Sequence, residues 1–284
     1  MSQDSKISSP TMRRLVVILA LGSALIGAAR LDALHPLHVY LACVMQRLTT
    51  LPYSLPYPAP PPHDQWRSMP ASERLADTRR RLLPKLHEEL AQKQLRLGQP
   101  AFIRIFKQSR ELELWLRDAS SVWKRFRTYP IATFSGFLGP KQREGDMQAP
   151  EGFYAVTRQL LNPASSYHLA FNIGYPNAYD RHHQRTGSLI MVHGNEVSVG
   201  CFAMTDPLIE EIYLVIASAL ENGQPQVPVH SFPFRMTGER MDQARAENSA
   251  WLPFWENLRQ GHDLFEKRRQ PPQTSVIDGR YHFD

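Results

Sequence analysis

Between Ser72 and Leu97 the apolar positions Leu75, Leu82, Leu83, Leu86 and Leu90 recur among many charges. That spacing predicts an amphipathic helix, kinked before Pro84. From Ala101 the texture changes. Phe102 to Phe106 is β-rich and partly alternating, and Leu112 to Leu116 alternates cleanly between apolar and polar. Further short runs lie within Val122 to Thr133 and in Phe153 to Thr157. Strands of this length separated by turn residues read as a β-sandwich or related sheet domain. Gly136, Gly139-Pro140, Gly145-Asp146 and Pro150-Glu151-Gly152 punctuate a long loop, and a loop that long in a compact domain usually serves a function. Ser188 to Val192 and Val197 to Val199 read as two strands of a hairpin, joined by a tight Gly194-Asn195 turn. A helix comes next, with Asp206 as its N-cap, Pro207 in its first turn, apolar residues from Leu208 to Leu220 and Gly223 at its end. A last strand, Val227 to His230, precedes a helical tail carrying Trp251, Phe254, Trp255 and Leu258. The chain has no internal repeat.

Upstream of the sheet region the pattern is of another kind. Met12-Arg13-Arg14 precedes an apolar run from Leu15 to Ala29, ending in small residues. A basic region, a short apolar region and small residues together read as a secretory signal. The run is short for a free-standing membrane span. A second apolar stretch, His38 to Leu48, extends it towards a signal anchor, so cleavage and anchoring in the inner membrane both stay open. Leu51 to Pro70 is proline-rich and predicts an extended spacer. The expected location of the sheet domain beyond the spacer is the periplasm or cell envelope.

Composition narrows the classes further. Of 284 residues, 42% are hydrophobic and 21% charged, enough to bury a full-sized core. The net charge of +6 favours approach to an anionic polymer or membrane surface. It is too weak to argue for nucleic acid, and no basic helix or RNP-like aromatic motif supports that partner. The two cysteines, Cys43 and Cys201, make no disulfide framework.

The informative segment is Met191-Val192-His193-Gly194-Asn195-Glu196-Val197-Ser198-Val199-Gly200-Cys201-Phe202. A histidine ends one predicted strand and a cysteine ends its partner. Strands so joined lie about 5 Å apart, which brings the two side chains together. Nucleophilic cysteine chemistry needs a thiol, a base within reach and a third group to orient the base. His193, and the N-terminus of the following helix, should favour the thiolate. Glycine at 200 lets the backbone approach a substrate and aim N–H groups at an oxyanion. Taken singly, Cys201 reads as a small buried hydrophobe and His193 as a satisfied polar residue. The pair, framed by glycines, points to chemistry. Elsewhere His182-His183 lack the spacing of metal ligands. Lys141, Arg143 and Arg158 are candidates to meet substrate carboxylates, or else form a solvated loop face. Tyr175 and Tyr179 are candidate cleft walls, or else packing residues.

The string HG…SxGC resembles the catalytic motif of the YkuD-type L,D-transpeptidases. Gly139-Pro140-Lys141-Gln142-Arg143, Gly145-Asp146, Pro150 to Tyr154, Asn172 to Asp180, Gly200 to Thr205, Pro233 to Thr237 and Asp278 to Tyr281 resemble the YafK-like branch of that family. The resemblance implies an α+β, mainly β fold: a β-sandwich-like mixed sheet domain with flanking helices. Together with the signal, spacer and helix read above, the expected organisation is a signal or anchor region over 1–50, a linker over 51–70, a helical segment over 71–99, a catalytic domain over 100–231 and a helical C-terminal extension over 232–284. Cys201 would be the nucleophile, His193 the general base and acid, and the Gly194 carbonyl the group that orients His193. Ser198 and Gly200 match motif positions around the thiol, and Lys141, Arg143 and Tyr175 are the substrate-binding candidates. The common motif has histidine where this chain has Val199, and arginine where it has Ala203. The implied activity is L,D-transpeptidation of peptidoglycan stem peptides through a thioester, with no cofactor. One alternative is an amidase or hydrolase of the same fold that detaches an envelope lipoprotein. Another is a wall-binding module without activity.

Overall fold

The computed structural model describes residues 55–284. The predicted signal region, Cys43 and the start of the spacer lie outside the described residues. Among the described residues no helix is long and apolar enough to cross a membrane.

The end of the predicted spacer is not extended but helical, forming α1 (His63–Ser68), and α2 (Ala71–Gln92) follows. α2 buries Leu82, Leu86 and Leu90 along one stripe. It runs unbroken through Pro84. Pro84 sits on the exposed side, where water can take the carbonyl that its missing N–H leaves free. The chain then forms β1 (Ala101–Phe106), β2 (Glu111–Arg117), β3 (Trp123–Pro130), β4 (Thr133–Phe134), β5 (Gly152–Val156), β6 (Leu161–Asn162) and β7 (Ala170–Asn172). Next are α3 (Ala178–His182), β8 (Met191–His193), β9 (Phe202–Ala203), α4 (Asp206–Glu221) and β10 (Val227–Phe232). Last come α5 (Gly238–Ala246), α6 (Leu252–Arg268), β11 (Thr274–Ile277) and β12 (Arg280–Phe283).

Two five-stranded sheets result, in the orders β3-β2-β1-β10-β5 and β4-β9-β8-β7-β6. β1 and β10 are parallel, as are β8 and β9; the other pairs are antiparallel. α4 explains how the sheets share one core. Every residue from Leu208 to Leu220 except Ser218 is buried, and the helix touches β1 and β10 on one side and β7 and β8 on the other. A helix that is apolar all round must be enclosed. Its two buried carboxylates tie it to its neighbours: Glu210 accepts from Thr78, Arg81 and His168, and Glu211 from Arg127 and Tyr129.

β1 is buried at all six positions. Ile103 and Ile105 belong to the α4 core, whereas Phe102 packs on Phe265 of α6 with ring centroids 5.0 Å apart. The aromatic tail therefore covers the outer face of the first sheet, and a strand covered on both faces reads as an unbroken apolar run.

Four further details differ from the sequence reading. β8 begins only at Met191, and Val197 to Val199 is loop, not strand. β8 and β9 are parallel neighbours and not the arms of a hairpin. Asp206 is the first residue of α4, with Thr205 at the N-cap in a left-handed conformation, φ 77°. The tail also holds the β11–β12 hairpin, turning at Asp278 and Gly279 with φ of 49° and 71°. Two successive positive-φ residues are what a tight hairpin turn demands.

Candidate active site

β8 ends on His193, and β9 starts one residue after Cys201. The register places His193 beside Ala203. Cys201 sits just before β9, and its Sγ accepts from the N–H of Met191, two residues before His193 on β8, so the thiol lies against the strand that ends on His193. Ala203, the partner of His193, is fully buried and small.

The loop from Gly194 to Cys201 must reverse twice to bring the chain back parallel. Asn195 adopts φ 61° and Gly200 φ 85°, and Gly200 is the residue type that takes this conformation freely. The Asn195 side chain accepts from the N–H groups of Glu196 and Val197, which closes the turn. Ser198 donates its hydroxyl to the Cys201 carbonyl at 2.6 Å. The Gly200 N–H donates to Ser135 Oγ on the long loop. Gly194 is a glycine for a different reason: a Cβ there would lie 2.5 Å from Asp206 Oδ1 and 2.7 Å from the Tyr167 carbonyl.

His193 is almost fully buried, and its Nδ1 lies 2.6 Å from the Gly194 carbonyl. A carbonyl only accepts, so Nδ1 carries the proton and Nε2 of the neutral ring is left with its lone pair. The Tyr167 ring covers the imidazole at 4.8 Å, tilted by 32°. Burial pushes the imidazole below the usual histidine range, opposed by the Gly194 carbonyl and the Asp206 charge.

Cys201 is half-buried and free. Its Sγ accepts from the Met191 N–H at 3.4 Å and faces the Leu189 carbonyl at 3.6 Å. Burial raises the thiol above its ordinary value, with the Met191 N–H and the Lys141 charge pulling it back. Burial thus works against the charged form of each group, against the thiolate that the spacing suggests.

The substrate-binding candidates fall differently. Lys141 is buried and bonded to Asp146 Oδ1 and the Arg143 carbonyl, so it organises the long loop. Tyr175 is buried too, donating to the Thr186 carbonyl. Arg143 and Arg158 present their side chains to solvent. His183 Nε2 contacts the Gly279 carbonyl, and both histidines of that pair meet the C-terminal hairpin. The long loop is fixed from below by a fully buried ion pair. Lys107 donates to Glu151 and to the Gly139 and Ala149 carbonyls, while Glu151 accepts from the Gly139 N–H and Trp255 Nε1.

Three residues at this end escaped the sequence reading: Ser135, Tyr167 and Asp206 as anything beyond a cap. Only Asp206, close after the cysteine, stood near enough in sequence to attract notice. The exposed apolar side chains Phe137, Leu189, Val197 and Val199 belong to the loops that meet around the thiol. A cleft lined by Trp123, Tyr154, Asn177 and Pro271 lies elsewhere and includes neither Cys201 nor His193. The thiol and its base, rather than volume, mark the candidate site.

Residues 100–229 match the family model of the L,D-transpeptidase catalytic domain, YkuD. An Escherichia coli K12 protein with the provisional name L,D-transpeptidase YafK is 47% identical over 189 residues, covering 66% of this chain and 76% of that protein. Among solved structures, the helical cell shape determining protein Pgp2 of Campylobacter jejuni is 20% identical with a TM-score of 0.40, covering 69% of this chain and 80% of that one. Bd1075 of Bdellovibrio bacteriovorus is 20% identical with a TM-score of 0.34, covering 61% and 62%.

Proposed function

The chain belongs to the YkuD-type L,D-transpeptidase family, in its YafK-like branch, and from that premise we propose that it is a cysteine acyltransferase acting on peptidoglycan stem peptides in the cell envelope. The observation that carries the reading is the one-sided arrangement of His193. Its Nδ1 is engaged by the Gly194 carbonyl at 2.6 Å, so Nε2 is the nitrogen available as a base, and the Cys201 thiol lies against Met191 of the same strand.

In this reading His193 Nε2 takes the Cys201 proton as Sγ attacks the carbonyl carbon of the stem peptide's diamino acid. The oxyanion that forms needs donors. The Gly200 N–H already serves Ser135, so the Cys201 N–H is the loop donor that remains for it. Collapse expels the amine, which takes its proton from His193, and leaves a thioester on Cys201. An acceptor amine then attacks the thioester, gives its excess proton to Nε2, and departs as the new amide while the thiol is restored. Lys141 and Tyr175 act as loop and core supports in this scheme, and Arg143 stays a candidate for a substrate carboxylate.

A second reading has one observation in its favour. Val199 is exposed and Ala203 is buried beside His193, where the common family motif has histidine and arginine. Without those polar groups to hold an acceptor, water can resolve the same thioester, making the enzyme an amidase that releases what is attached to the stem, such as an envelope lipoprotein. A wall-binding role without catalysis would not need both the thiol and the oriented base. Purified protein incubated with muropeptides, with and without protein-linked stems, tests these readings by product mass. A new cross-link supports transfer, and a shortened stem supports hydrolysis. No product, and no thioester on Cys201 in the intact mass, would sink both.

A further inference from the structure

The peptide unit between Gly194 and Asn195 is hydrogen-bonded at both ends. Its carbonyl faces His193 Nδ1 at 2.6 Å, and its N–H donates to Asp206 Oδ1 at 2.7 Å. Asp206 Oδ2 accepts from Trp66 Nε1 at 3.0 Å. Trp66 is fully buried, with its ring 4.9 Å from His168 and the Arg74 guanidinium 4.8 Å from its centroid. Arg74 in turn donates to the Ser165 and His168 carbonyls, on either side of Tyr167. Helix α1 and the start of α2 thus reach the two structures that enclose His193: the turn after it and the tyrosine over it.

We propose that Asp206 is a positioning residue for His193, acting through the Gly194–Asn195 peptide, and that Trp66 holds its carboxylate in place. A peptide whose N–H is bonded to an anion is polarised towards its carbonyl oxygen, because hydrogen bonds in a chain strengthen one another. The Gly194 carbonyl becomes a stronger acceptor for Nδ1–H. That fixes the tautomer with Nε2 unprotonated, and it stabilises the imidazolium formed when Nε2 takes the thiol proton. A carboxylate that bonds a catalytic histidine directly does the same work; here one peptide stands between them. The close approach also accounts for glycine at 194, where any Cβ would enter the space of Asp206 Oδ1.

Other charged and titratable groups at this end are Cys201, Lys141 on the long loop, Tyr167 over the ring, His168 behind Gly194 and bonded to Glu210, Glu196 on the turn, and Arg74, whose charge interacts with Asp206. None of them bonds the Gly194–Asn195 peptide. The carboxylate's charge raises the proton affinity of His193 against the effect of burial.

The inference rests on the acyl-transfer reading for its catalytic meaning, so its test has one readout that needs no substrate. The His193 titration is followed by NMR in protein labelled at histidine, with His193→Ala assigning the resonance. In Asp206→Asn the midpoint should fall by about half a unit or more, since the anion that favours the imidazolium is gone. With a processed stem peptide, kcat should drop roughly tenfold while KM stays within about twofold. Trp66→Phe keeps the ring and loses the donor, so it should shift both readouts less, in the same direction. Added to Asp206→Asn, it should cost nothing more. An unchanged His193 midpoint in folded Asp206→Asn overturns the proposal. Should that variant not fold, an unchanged midpoint in Trp66→Phe overturns it instead. If wild type forms no thioester with any stem peptide, the acyl-transfer reading falls, while the titration still decides the relay.

Discussion

The Gly194 carbonyl and His193 Nδ1 stand 2.6 Å apart, an arrangement that leaves the ring one working nitrogen. Thioester formation in His193→Ala should therefore fall by ~10³-fold or more, as when a member of a catalytic triad is removed. Reactivity of the thiol towards iodoacetamide should respond differently. Burial, the Met191 N–H and Lys141 set the thiol's proton affinity. The labelling midpoint of Cys201 should lie above the ordinary thiol value of about 8.5 and change little in His193→Ala. A wild-type midpoint well below that value, lost in His193→Ala, would show that the pair rests as thiolate and imidazolium.

Gly194→Ala tests the close approach at the turn. The added methyl meets Asp206 Oδ1 at 2.5 Å and the Tyr167 backbone carbonyl at 2.7 Å. The carbonyl belongs to a loop that Arg74 and Glu210 hold on its neighbours, so it cannot yield cheaply. A loss of about 1–3 kcal/mol is expected, typical of overpacking. Gly238→Ala is the control: nothing lies within 4 Å of its Cβ, and stability should hold or rise by up to about 1 kcal/mol. Chemical denaturation of both variants compares them. Equal stability of Gly194→Ala and wild type would mean that the turn relaxes freely.

How legible each element was in the sequence depends on how much local pattern it carries. α4 announced itself through Pro207 and an apolar run that only an enclosed helix tolerates. β1 and β2 were long enough for their residues to declare a strand. β8 and β9, of three and two residues, are not. Their pairing is set by the shared core and by Ser135 and Asp206 gripping the loop between them, contacts that come from distant parts of the chain. Gly194-Asn195 suggested a hairpin because a left-handed Asn195 fits a tight turn equally well in either topology. His193 and Gly194 are joined by a hydrogen bond, as are Ser198 and Cys201, and the loop that holds Ser198, Gly200 and Cys201 returns to β8 at Met191. Lys141 reads as a substrate contact or a solvated loop residue because the pattern does not show that the loop folds Asp146 back onto it, whereas of the two readings of Tyr175, cleft wall or packing residue, its burial fits the second. The β11–β12 hairpin was legible in principle, for Asp278-Gly279 between short apolar runs is a strong turn signal.

His230 should make the fold acid-sensitive. Its ring is fully enclosed between Phe102 and Phe153, with centroids 4.6 Å from each. Burial and the Arg104 charge hold it well below the usual histidine range. The unfolded chain takes up a proton near pH ~6.5 and the folded chain does not. Stability is thus full above that pH and is lost as pH falls below it towards the folded-state value. Thermal unfolding followed from pH 8 to pH 5 should show a falling Tm. In His230→Phe the fall should be shallower, though His193 and His262, also lowered by burial, keep part of it. An identical slope in the variant would show that His230 does not contribute.

The Lys107–Glu151 pair offers the sharpest test of how the long loop is held. Both side chains have no exposure, and burial lowers the proton affinity of the lysine against the pull of Glu151. Two opposite charges stripped of water gain from each other roughly what their dehydration costs, so the intact pair adds little stability over an apolar pair. Removing one partner is another matter. Lys107→Met leaves the Glu151 carboxylate buried with only the Gly139 N–H and Trp255 Nε1 to hold it, and strands the Gly139 and Ala149 carbonyls. A loss of about 3–5 kcal/mol is expected for breaking such a pair. Lys107→Met combined with Glu151→Gln removes the lone charge while the amide oxygen still accepts one of those two bonds, so it should recover part of that loss. The two effects must then be non-additive, which a double-mutant cycle in urea measures directly. The loop that this pair fixes also carries Ser135, the acceptor for the Gly200 N–H. Single variants that stay folded should therefore lose thioester formation in proportion to how far the loop is freed, and the double variant should regain some of it. If Lys107→Met is no less stable than the double variant, the pair is not what fixes the loop, and the bond to Trp255 becomes the contact to test.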